Sequence, residues 1–451
     1  VPEINEDTGT VDLTFYIDPQ QRTYVRRIVF LGNNRTHDVV LRREMRQMEG
    51  SWASNRLIEN SKLRLERLGF FKGEVQYETI PVPGVSDQVD IEFTVEEEVS
   101  GSIGGSFGYS SWGLVLGLNY SENNAFGTGK KVNLGINDSS WRRSYSFSYL
   151  DPYFTIDGIG LGYGAYLRKT DYGNFNIAAY NTDSYGGSVR FQLPISEIES
   201  LSLSLALDNT QLATNFYSSR QLQDFYNSEG SEFTTYSASV SWARFSLDRG
   251  LFPTNGSSNT ISLSLTLPGS NLNYGRFTHE FKIFRPLPQR LIFGYRSRIG
   301  ILFAYEDTET APPYQHFYAG GMRSVRGFRQ NYLGPKAVYD SGYNPRYQRP
   351  VGGPYSLAGG FDLIIPLDFV PDPRSVRGSI FLDYGNVFSD GCRSYEVNCY
   401  EFDLSELRYS LGVGVTWITA LGPLSFAISQ VFNDTPDDRT ETFQFEIGTQ
   451  F

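Results

Sequence analysis

Apolar and polar residues alternate with a period of two along most of the chain after Gly101. In the segment from Arg142 to Leu150, one face carries Tyr145, Phe147 and Tyr149, and the other carries Ser144, Ser146 and Ser148. Successive side chains of a β-strand point to opposite faces, so this alternation predicts strands with one apolar and one polar face. The pattern recurs clearly in three further segments: 201–208, 261–267 and 407–417.

Two features indicate that the apolar faces contact lipid, although a water-soluble sandwich would also alternate. The segments run to roughly ten residues, the length that a tilted strand needs to cross a bilayer, and aromatic residues cluster at their ends. About sixteen such segments follow Gly101, an even number that suits a closed barrel without exposed edges. The predicted fold class over residues 100–451 is therefore a transmembrane β-barrel of about 16 antiparallel strands.

The first hundred residues carry helix signals as well as strand signals. We predict that residues 22–99 form a small α+β module with the order β-α-α-β-β. Thr36 is the predicted N-cap of the first helix, and Gly69 ends the second. The predicted elements are a strand at 24–30, a helix with Leu41, Met45 and Met48 on one face, a helix from about Ser54, and strands near 74–80 and 88–96.

A similar strand pattern occurs twice in this region, at 11–18 and at 89–96. The recurrence predicts tandem modules, in which residues 1–21 are the last strand of a truncated preceding repeat. Such a module leaves a sheet edge open, and an open edge can bind an extended peptide by strand addition. A passive spacer or docking domain is the alternative that the sequence leaves open.

Charge and composition argue against some partners and some modes of membrane insertion. The chain has 39 Lys and Arg against 50 Asp and Glu, and its net charge of −11 argues against nucleic acid, because phosphate binding needs clustered cations. No run of about 18 apolar residues occurs, so membrane-spanning helices are not expected. The two cysteines, Cys392 and Cys399, lie in a short polar segment and predict a disulfide-closed surface loop in an oxidising compartment.

The sequence offers little that would support catalysis. His37, His279 and His316 have no companion nucleophile or ligand pattern, and a metal site at the two cysteines would lack ligands. The glycines between Gly101 and Gly108 precede a strand rather than a helix, so they are not a nucleotide fingerprint. We expect neither an enzyme nor a cofactor. A barrel enzyme that uses Ser or carboxylate chemistry and a passive porin are alternatives, but a porin would not explain the N-terminal module.

The longest segment without a strand pattern, residues 305–353, contains Arg323, Arg326 and Arg329, spaced by three. Loops of this length are usually either functional or disordered, and the neighbouring Gly, Tyr and Phe residues are not typical of disorder. We predict that this loop folds into the barrel lumen and is held there by Arg326.

A buried arginine needs acidic partners, and strand alternation supplies two of them. Asp362 and Asp383 are turned inward on the two strands that follow the loop. The planar guanidinium of Arg326 can serve two carboxylates at once, so both acids are predicted as its counter-charges.

The first and last strands of the barrel must pair to close it, and the first is rich in glycine. Glycine in a strand costs backbone entropy and packs little, so we predict a weak lateral seam. Glycines that merely fit a tight curve are the alternative. The predicted seam residues are Gly101, Gly104, Gly105, Phe107 and Gly108 on the first strand and Phe443, Phe445, Ile447, Gly448 and Phe451 on the last.

Several motifs resemble those of a known family. Val325-Arg326-Gly327-Phe328 is similar to the signature tetrapeptide of the outer-membrane assembly superfamily. The module at 22–99 resembles the polypeptide-transport-associated (POTRA) repeat of the same proteins. Further matching segments are Phe30–Asn33, Arg67–Phe71, Asp151–Phe154, Leu247–Gly250, Gly334–Ala337, Asp383–Asn386 and Leu421–Leu424.

The resemblance implies a protein of the bacterial outer membrane, with its POTRA module in the periplasm, that folds and inserts other β-barrel proteins without a cofactor. It implies that Arg326, paired with Asp362 and Asp383, holds the sixth extracellular loop in the lumen, and that the seam is a lateral gate. The implied partners are unfolded outer-membrane β-barrel substrates, accessory lipoproteins, periplasmic chaperones and outer-membrane lipid. Two superfamily relatives are alternatives: the translocation-and-assembly-module barrel, and the two-partner secretion transporter, which exports a polypeptide through its pore.

Overall fold

The structure is a computed structural model that describes residues 2–5, 10–13, 22–110, 113–175, 177–340, 348–367, 375–396, 399–419 and 422–448. It divides into two compact units. The first contains the described residues up to Gly101 together with the segment 122–130, and the second contains residues 102–121 and the described residues from Lys131 onward.

In its described residues, the first unit contains two small sheets and two helices. Its elements are β1 (Pro2–Asn5), β2 (Thr10–Leu13), β3 (Tyr24–Leu31), α1 (Asp38–Arg42), α2 (Asn55–Arg67), β4 (Gln76–Pro81) and β5 (Gln88–Thr94). Strands β1 and β2 pair antiparallel, and the predicted strand beyond Leu13 lies outside the described residues. The other sheet has the order β3-β5-β4, with β3 parallel and β4 antiparallel to β5.

Helix α2 and this sheet form the core of the first unit. Ser54 is the N-cap of α2, and Ile58 and Leu65 are buried on one stripe of the helix. They belong to the same apolar cluster as Val25 and Phe93 of the sheet. Strand β4 lies at the edge of the sheet and is largely exposed, so its outer edge is open.

Thr36 does not cap the first helix, and that prediction is wrong. Helix α1 begins at Asp38 with His37 as its N-cap, and it is only five residues long. The backbone N–H of Thr36 donates to Glu97 Oε1 (2.6 Å), and its hydroxyl accepts from Asn124 Nδ2 (2.8 Å). Both bonds come from residues distant in sequence, so tertiary contacts displace the local capping preference.

A closed antiparallel barrel of sixteen strands dominates the second unit, among the residues that the structure describes. No helix in those residues is both long and apolar enough to cross a bilayer. The extramembrane connections include α3 (Arg220–Glu229). The strands are β6 (Gly101–Ser110), β7 (Gly113–Ala125), β8 (Lys130–Ser139), β9 (Arg142–Asp151), β10 (Gly160–Asp171), β11 (Asn181–Pro194), β12 (Glu199–Ala213), β13 (Glu232–Phe245), β14 (Gly256–Thr266), β15 (Tyr274–Pro286), β16 (Ile292–Ala304), β17 (Tyr355–Ile365), β18 (Val376–Phe388), β19 (Arg408–Thr419), β20 (Gly422–Phe432) and β21 (Phe443–Ile447).

The alternation predicted from the sequence is present along these strands. On β12, Leu203, Leu205 and Leu207 are exposed on the outer surface. The serines between them face the lumen, where Ser204 Oγ lies 2.6 Å from Ser239 Oγ of β13. An apolar outer face and a hydroxyl-lined inner face suit lipid outside and water inside, and the predicted barrel class is confirmed.

Candidate functional site

The tip of the long loop between β16 and β17 is buried against the barrel wall. Val325 and Phe328 are inaccessible to solvent and form an apolar cluster with Leu333 of the same loop and Val387 of β18. Because Val387 belongs to the barrel, this cluster attaches the loop tip to the wall. Residues 341–347 of the loop lie outside the described part of the chain.

Arg326 sits at the centre of this tip and contacts both acids that the strand pattern turns inward. Its Nε and Nη2 donate to Asp383 at 2.7 and 2.8 Å, and Nη2 also donates to Asp362 at 2.9 Å. Its backbone N–H donates to Asp383 at 3.0 Å. The guanidinium carbon lies 3.5 Å from the ring centre of the buried Phe381, a cation–π contact.

The charge of Arg326 is stabilised where it lies. Burial alone lowers the pKa of its guanidinium, but hydrogen bonding and charge from Asp383, and then from Asp362, outweigh burial and raise the pKa above its ordinary value. The arginine therefore stays charged at any physiological pH and cannot act as a proton donor or acceptor. A buried guanidinium that stays charged and binds two carboxylates can hold two parts of a protein together.

Arg296 of β16, which the strand pattern alone did not single out, also binds Asp383. Its Nη2 donates to Asp383 Oδ1 at 2.7 Å. Arg296 is registered with Gly360 of β17, which is registered in turn with Asp383. A Cβ at Gly360 would lie 2.3 Å from Asp383 Oδ1, so the glycine leaves the gap across which the two charged groups meet. The available sequence signal was the inward parity shared by these three residues.

The loop tip also contacts the lumen face of the last strand. Gln444 of β21 is buried; its Oε1 accepts from Gly327 N (2.9 Å), and its Nε2 donates to Phe328 O (2.8 Å). Glu446, also buried, accepts from Arg323 Nη2 at 2.5 Å. Neither residue was predicted, although both have the inward parity of their strand.

A second buried charge cluster lies farther along the same loop. Lys336 is 1% exposed; its Nζ donates to Tyr332 O (2.6 Å) and Gly334 O (2.8 Å) and lies 3.7 Å from Asp438 Oδ1. Arg408 Nε donates to the other oxygen of Asp438 at 2.7 Å, so two cations share one carboxylate. Burial lowers the pKa of Lys336 to about 8, against the opposing effect of Asp438.

Among the residues that the structure describes, the first and last strands of the barrel meet in one registered pair, Ile447 with Tyr109. Strands β20 and β21, by contrast, are registered over five pairs. On the outer surface the rings of Tyr109 and Phe445 also approach across the seam, with centroids 6.3 Å apart. The other predicted outward residues on these strands, Phe107 and Phe443, are exposed. Phe451 lies outside the described residues.

The glycines of the seam are not equivalent. Gly448 has φ +83°, and a Cβ there would lie 2.3 Å from Phe107 O and 3.0 Å from Gly108 Cα, so the two strand ends approach closely at this point. A Cβ at Gly104 or Gly105 would meet no atom within 4 Å. Crowding therefore requires glycine at 448 but not at 104 or 105. Gly101 is the first residue of β6.

Cys392 and Cys399 form a disulfide with their Cα atoms 5.7 Å apart, which closes a short loop after β18. Residues 397–398 of that loop lie outside the described residues. In the part of the chain that the structure describes, no group of His, Cys, Asp and Glu side chains is arranged to hold a metal ion.

Together these features define a class of protein: a sixteen-stranded membrane barrel, preceded by a small α+β domain, with a long loop fastened to its inner wall by a buried arginine. Comparison with known families agrees. The Omp85 superfamily domain matches residues 124–451, and the POTRA family, described as a surface antigen variable number repeat, matches residues 23–98. The chain belongs to the Omp85 superfamily.

Individual relatives are consistent with this assignment. The outer membrane protein assembly factor BamA of Neisseria meningitidis serogroup B is 33% identical, over all of this chain and 59% of that protein. The crystal structure of BamA from Haemophilus ducreyi lacking POTRA domains 1–3 superposes with a TM-score of 0.80 at 31% identity, covering all of this chain and 89% of that one. CdiB from Acinetobacter baumannii, at 14% identity, a TM-score of 0.58 and coverage of 95% and 74%, shares the fold.

These comparisons confirm three predictions made from the sequence: the family, the fold class of a POTRA domain followed by a transmembrane barrel, and the location. The barrel lies in the outer membrane, and the POTRA domain is periplasmic. The meningococcal relative is named as an assembly factor rather than an enzyme. The chain spans less than two thirds of the length of the meningococcal relative.

Proposed function

We propose that this protein folds β-barrel proteins and inserts them into the bacterial outer membrane through a lateral seam between β6 and β21. The observation that carries the proposal is that, among the described residues, β6 and β21 share one registered pair, Ile447 with Tyr109, where β20 and β21 share five. In the described part of the seam, few backbone hydrogen bonds would be lost if the two strands separated toward the bilayer. The name of the meningococcal relative, an outer membrane protein assembly factor, supports the same function.

In this proposal Arg326 is a structural anchor. Its bonds to Asp362 and Asp383 keep the loop inside the lumen, so the wall from β16 to β18 stays rigid while the seam opens. Removal of one member of a buried charge pair is strongly destabilising, so we expect the loop to stay bound to the barrel wall throughout the insertion cycle. No cofactor or nucleotide takes part.

The proposed partners follow from the two parts of the chain. Unfolded outer-membrane β-barrel proteins are the substrates, and outer-membrane lipid surrounds the barrel. Accessory lipoproteins and periplasmic chaperones bind the POTRA domain, residues 22–99, whose edge strand β4 offers open backbone groups. Residues 1–21 belong to a preceding POTRA repeat, and residues 100–451 form the barrel with its loop 305–353.

The proposal is tested by closing the seam covalently. The protein with Tyr109→Cys and Ile447→Cys, the registered pair, is reconstituted in liposomes, and the insertion of a denatured barrel protein is followed by its protease resistance. We expect oxidation to block insertion and a reductant to restore it. The matched control, Val413→Cys with Ile428→Cys, joins a registered pair of neighbouring strands away from the seam and should insert substrate in both states. Full activity of the oxidised seam variant would contradict the lateral route.

The final location of the substrate distinguishes export through the pore from insertion through the seam. An inserted barrel protein becomes embedded in the bilayer and keeps its resistance to protease after carbonate extraction. An exported polypeptide appears soluble in the vesicle interior, and seam crosslinking leaves its passage unchanged. The second pattern would favour a two-partner secretion transporter.

A further inference from the structure

Two rows of outward-facing side chains cross the extracellular ends of four neighbouring strands, β8 to β11. The chain enters the barrel at Gly101, directly after the periplasmic POTRA domain, so β8 and β10 end, and β9 and β11 begin, on the extracellular side. The lower row is exposed and apolar, and its members face one another in register: Ile136, Tyr145, Leu167 and Tyr185. This row belongs to the lipid-facing belt of the barrel.

The upper row is charged. It lies two residues further along each strand than the apolar row, a rise of about 7 Å, and it shares the same outward parity. Its members also face one another in register, in the order Asp138, Arg143, Lys169 and Asp183. A charged row directly above the apolar belt lies at the level of the lipid headgroups of the outer leaflet.

Two cations stand side by side in the middle of the charged row. Arg143 and Lys169 are directly opposite each other, and like charges in that position repel. Of the arginines and lysines on the described barrel strands, only these two lie on the outer face at the extracellular end. An anion between the two side chains would relieve their repulsion and gain charge-assisted hydrogen bonds from both.

Both cations keep hydrogen-bond donors for a ligand despite their acidic neighbours. Nε and Nη2 of Arg143 donate to Asp138 at 3.1 and 3.2 Å, and Lys169 Nζ donates to Asp183 at 2.8 Å. Nη1 of Arg143 and two of the three Nζ protons of Lys169 have no partner among the described residues. The two side chains are 58% and 75% exposed, and exposed ion pairs contribute little stability, so both can turn toward a ligand.

An open cleft of about 540 Å³ adjoins the two cations and adds a third. Arg142, on the other face of β9, lines this cleft at the end of the strand. Its guanidinium carbon lies 4.2 Å from the ring centre of Trp141, and its buried Nε has no hydrogen-bond partner in the part of the chain that the structure describes. Asp171, the remaining acid of the cleft, already accepts hydrogen bonds from the backbone and side-chain nitrogens of Asn174 at 3.2 and 2.9 Å.

We propose that Arg143 and Lys169, with Arg142 behind them, form a binding site on the outer wall of the barrel for the anionic phosphate group of an outer-leaflet lipid. Phosphate oxygens accept from Arg143 Nη1 and Lys169 Nζ, a geometry that a guanidinium and an ammonium on adjacent strands provide. The acyl chains lie along the apolar row below, which is continuous with the site and favours a lipid over a free anion. The site requires only that the barrel lies in the outer membrane, and it is independent of the proposed insertion of other proteins.

Native mass spectrometry of the whole protein tests the site with lipid A, a diphosphorylated glycolipid, as the probe. Protein released from detergent micelles that contain lipid A should retain it, whereas lipid A from which the phosphates have been removed should be retained on the order of tenfold less. Equal retention of the two lipids would mean that the apolar belt alone binds them and would overturn the proposal. This comparison uses the unsubstituted protein, so it does not depend on how any variant folds.

A double variant tests the residues. Arg143→Gln combined with Lys169→Gln should lower the retention of lipid A by on the order of tenfold. The matched control is Arg244→Gln combined with Arg285→Gln, which removes two cations from the outer face at the periplasmic end and should leave retention unchanged. Equal losses in the two double variants would mean general attraction to the protein's cations and would overturn the site.

The rate of acetylation of Lys169 distinguishes a lipid site from a site for free phosphate. Lys169 should react more slowly in nanodiscs that contain lipid A than in nanodiscs that contain the dephosphorylated lipid, as measured by peptide mass spectrometry. Lys72 of the POTRA domain, which is 66% exposed and also near an acid, should react equally in both. Inorganic phosphate alone, added to the second nanodiscs, should give no protection. Equal protection of Lys169 by inorganic phosphate, or none by lipid A, would overturn the assignment to a lipid.

Discussion

Arg326 and Asp383 are joined by three hydrogen bonds, one from the arginine backbone at 3.0 Å and two from its guanidinium at 2.7 and 2.8 Å. Asp383 is fully buried, and Arg326 is 9% exposed. The backbone bond fixes the position of the loop, while the side-chain bonds balance the charge. Loss of either partner therefore leaves a buried charge instead of a solvated one.

Arg326→Ala should destabilise the folded barrel by roughly 3–5 kcal/mol, because Asp383 and Asp362 then lose their shared cation. The change is measured by urea unfolding followed by tryptophan fluorescence, and loosening of the loop by its cleavage with a protease. Arg298→Ala is the matched control. Arg298 pairs with Glu280 at 2.9 Å, but both side chains are about half exposed, so its removal should change stability by under about 1 kcal/mol. Equal effects of the two substitutions would contradict a buried anchor.

The two acids should not contribute equally. Asp383 is fully buried and binds both Arg326 and Arg296, whereas the Asp362 side chain is 20% exposed and accepts one hydrogen bond from Arg326. Asp383→Asn leaves two guanidinium groups without a full counter-charge and should cost roughly 3–5 kcal/mol, against about 1 kcal/mol for Asp362→Asn. Unfolding midpoints of the two isosteric variants in the same detergent compare them. The opposite order would mean that Asp362 is the main counter-charge.

The inward orientation of Asp362 and Asp383 could be predicted from the sequence, because the alternation of side chains between the two faces of a strand is a local property. Each side chain's face follows from its position within one strand, so the inward orientation of Asp362 and Asp383 needed no tertiary information. The contact of Arg296 with Asp383 depends on the register of three strands, which no single strand's pattern sets. It also depends on Gly360, because a side chain at that position would clash with Asp383. This need for glycine can be recognised only when the strand register is known.

Long-range contacts explain the remaining differences. Gln444 binds Gly327, 117 positions away, and only the chain's path through the lumen brings them together. Thr36 has the chemistry of an N-cap, but Glu97 and Asn124 engage it from other parts of the first unit. Local patterns therefore predicted the barrel and the inward direction of its two acids, and tertiary contacts determined which groups bind them.

The seam should be sensitive to one glycine and tolerant at another. Gly448→Ala would place a Cβ 2.3 Å from Phe107 O at φ +83°, a strain on the order of 1–3 kcal/mol that separation of the two strands relieves. The yield of disulfide between Tyr109→Cys and Ile447→Cys should therefore fall when Gly448→Ala is added. Gly104→Ala, whose Cβ meets no atom within 4 Å, is the matched control and should leave the yield unchanged. A fall in both would point to general disruption of β6 instead of a local clash.

The buried Lys336 should make the stability of the loop depend on pH. Burial lowers its folded-state pKa to about 8, below its ordinary value of 10.5, so the folded protein releases this proton first as pH rises. The contribution of Lys336 to stability is therefore greatest above pH 10.5 and is lost as pH falls toward 8, a change on the order of 3 kcal/mol.

Lys336→Met should remove this pH dependence. As pH rises from 8 to 10.5, the unfolding free energy of the unsubstituted protein should therefore increase relative to that of the variant. Lys282→Met, at an exposed lysine, is the control and should run parallel to the unsubstituted protein. A Lys336→Met curve that also runs parallel would mean that Lys336 does not titrate there.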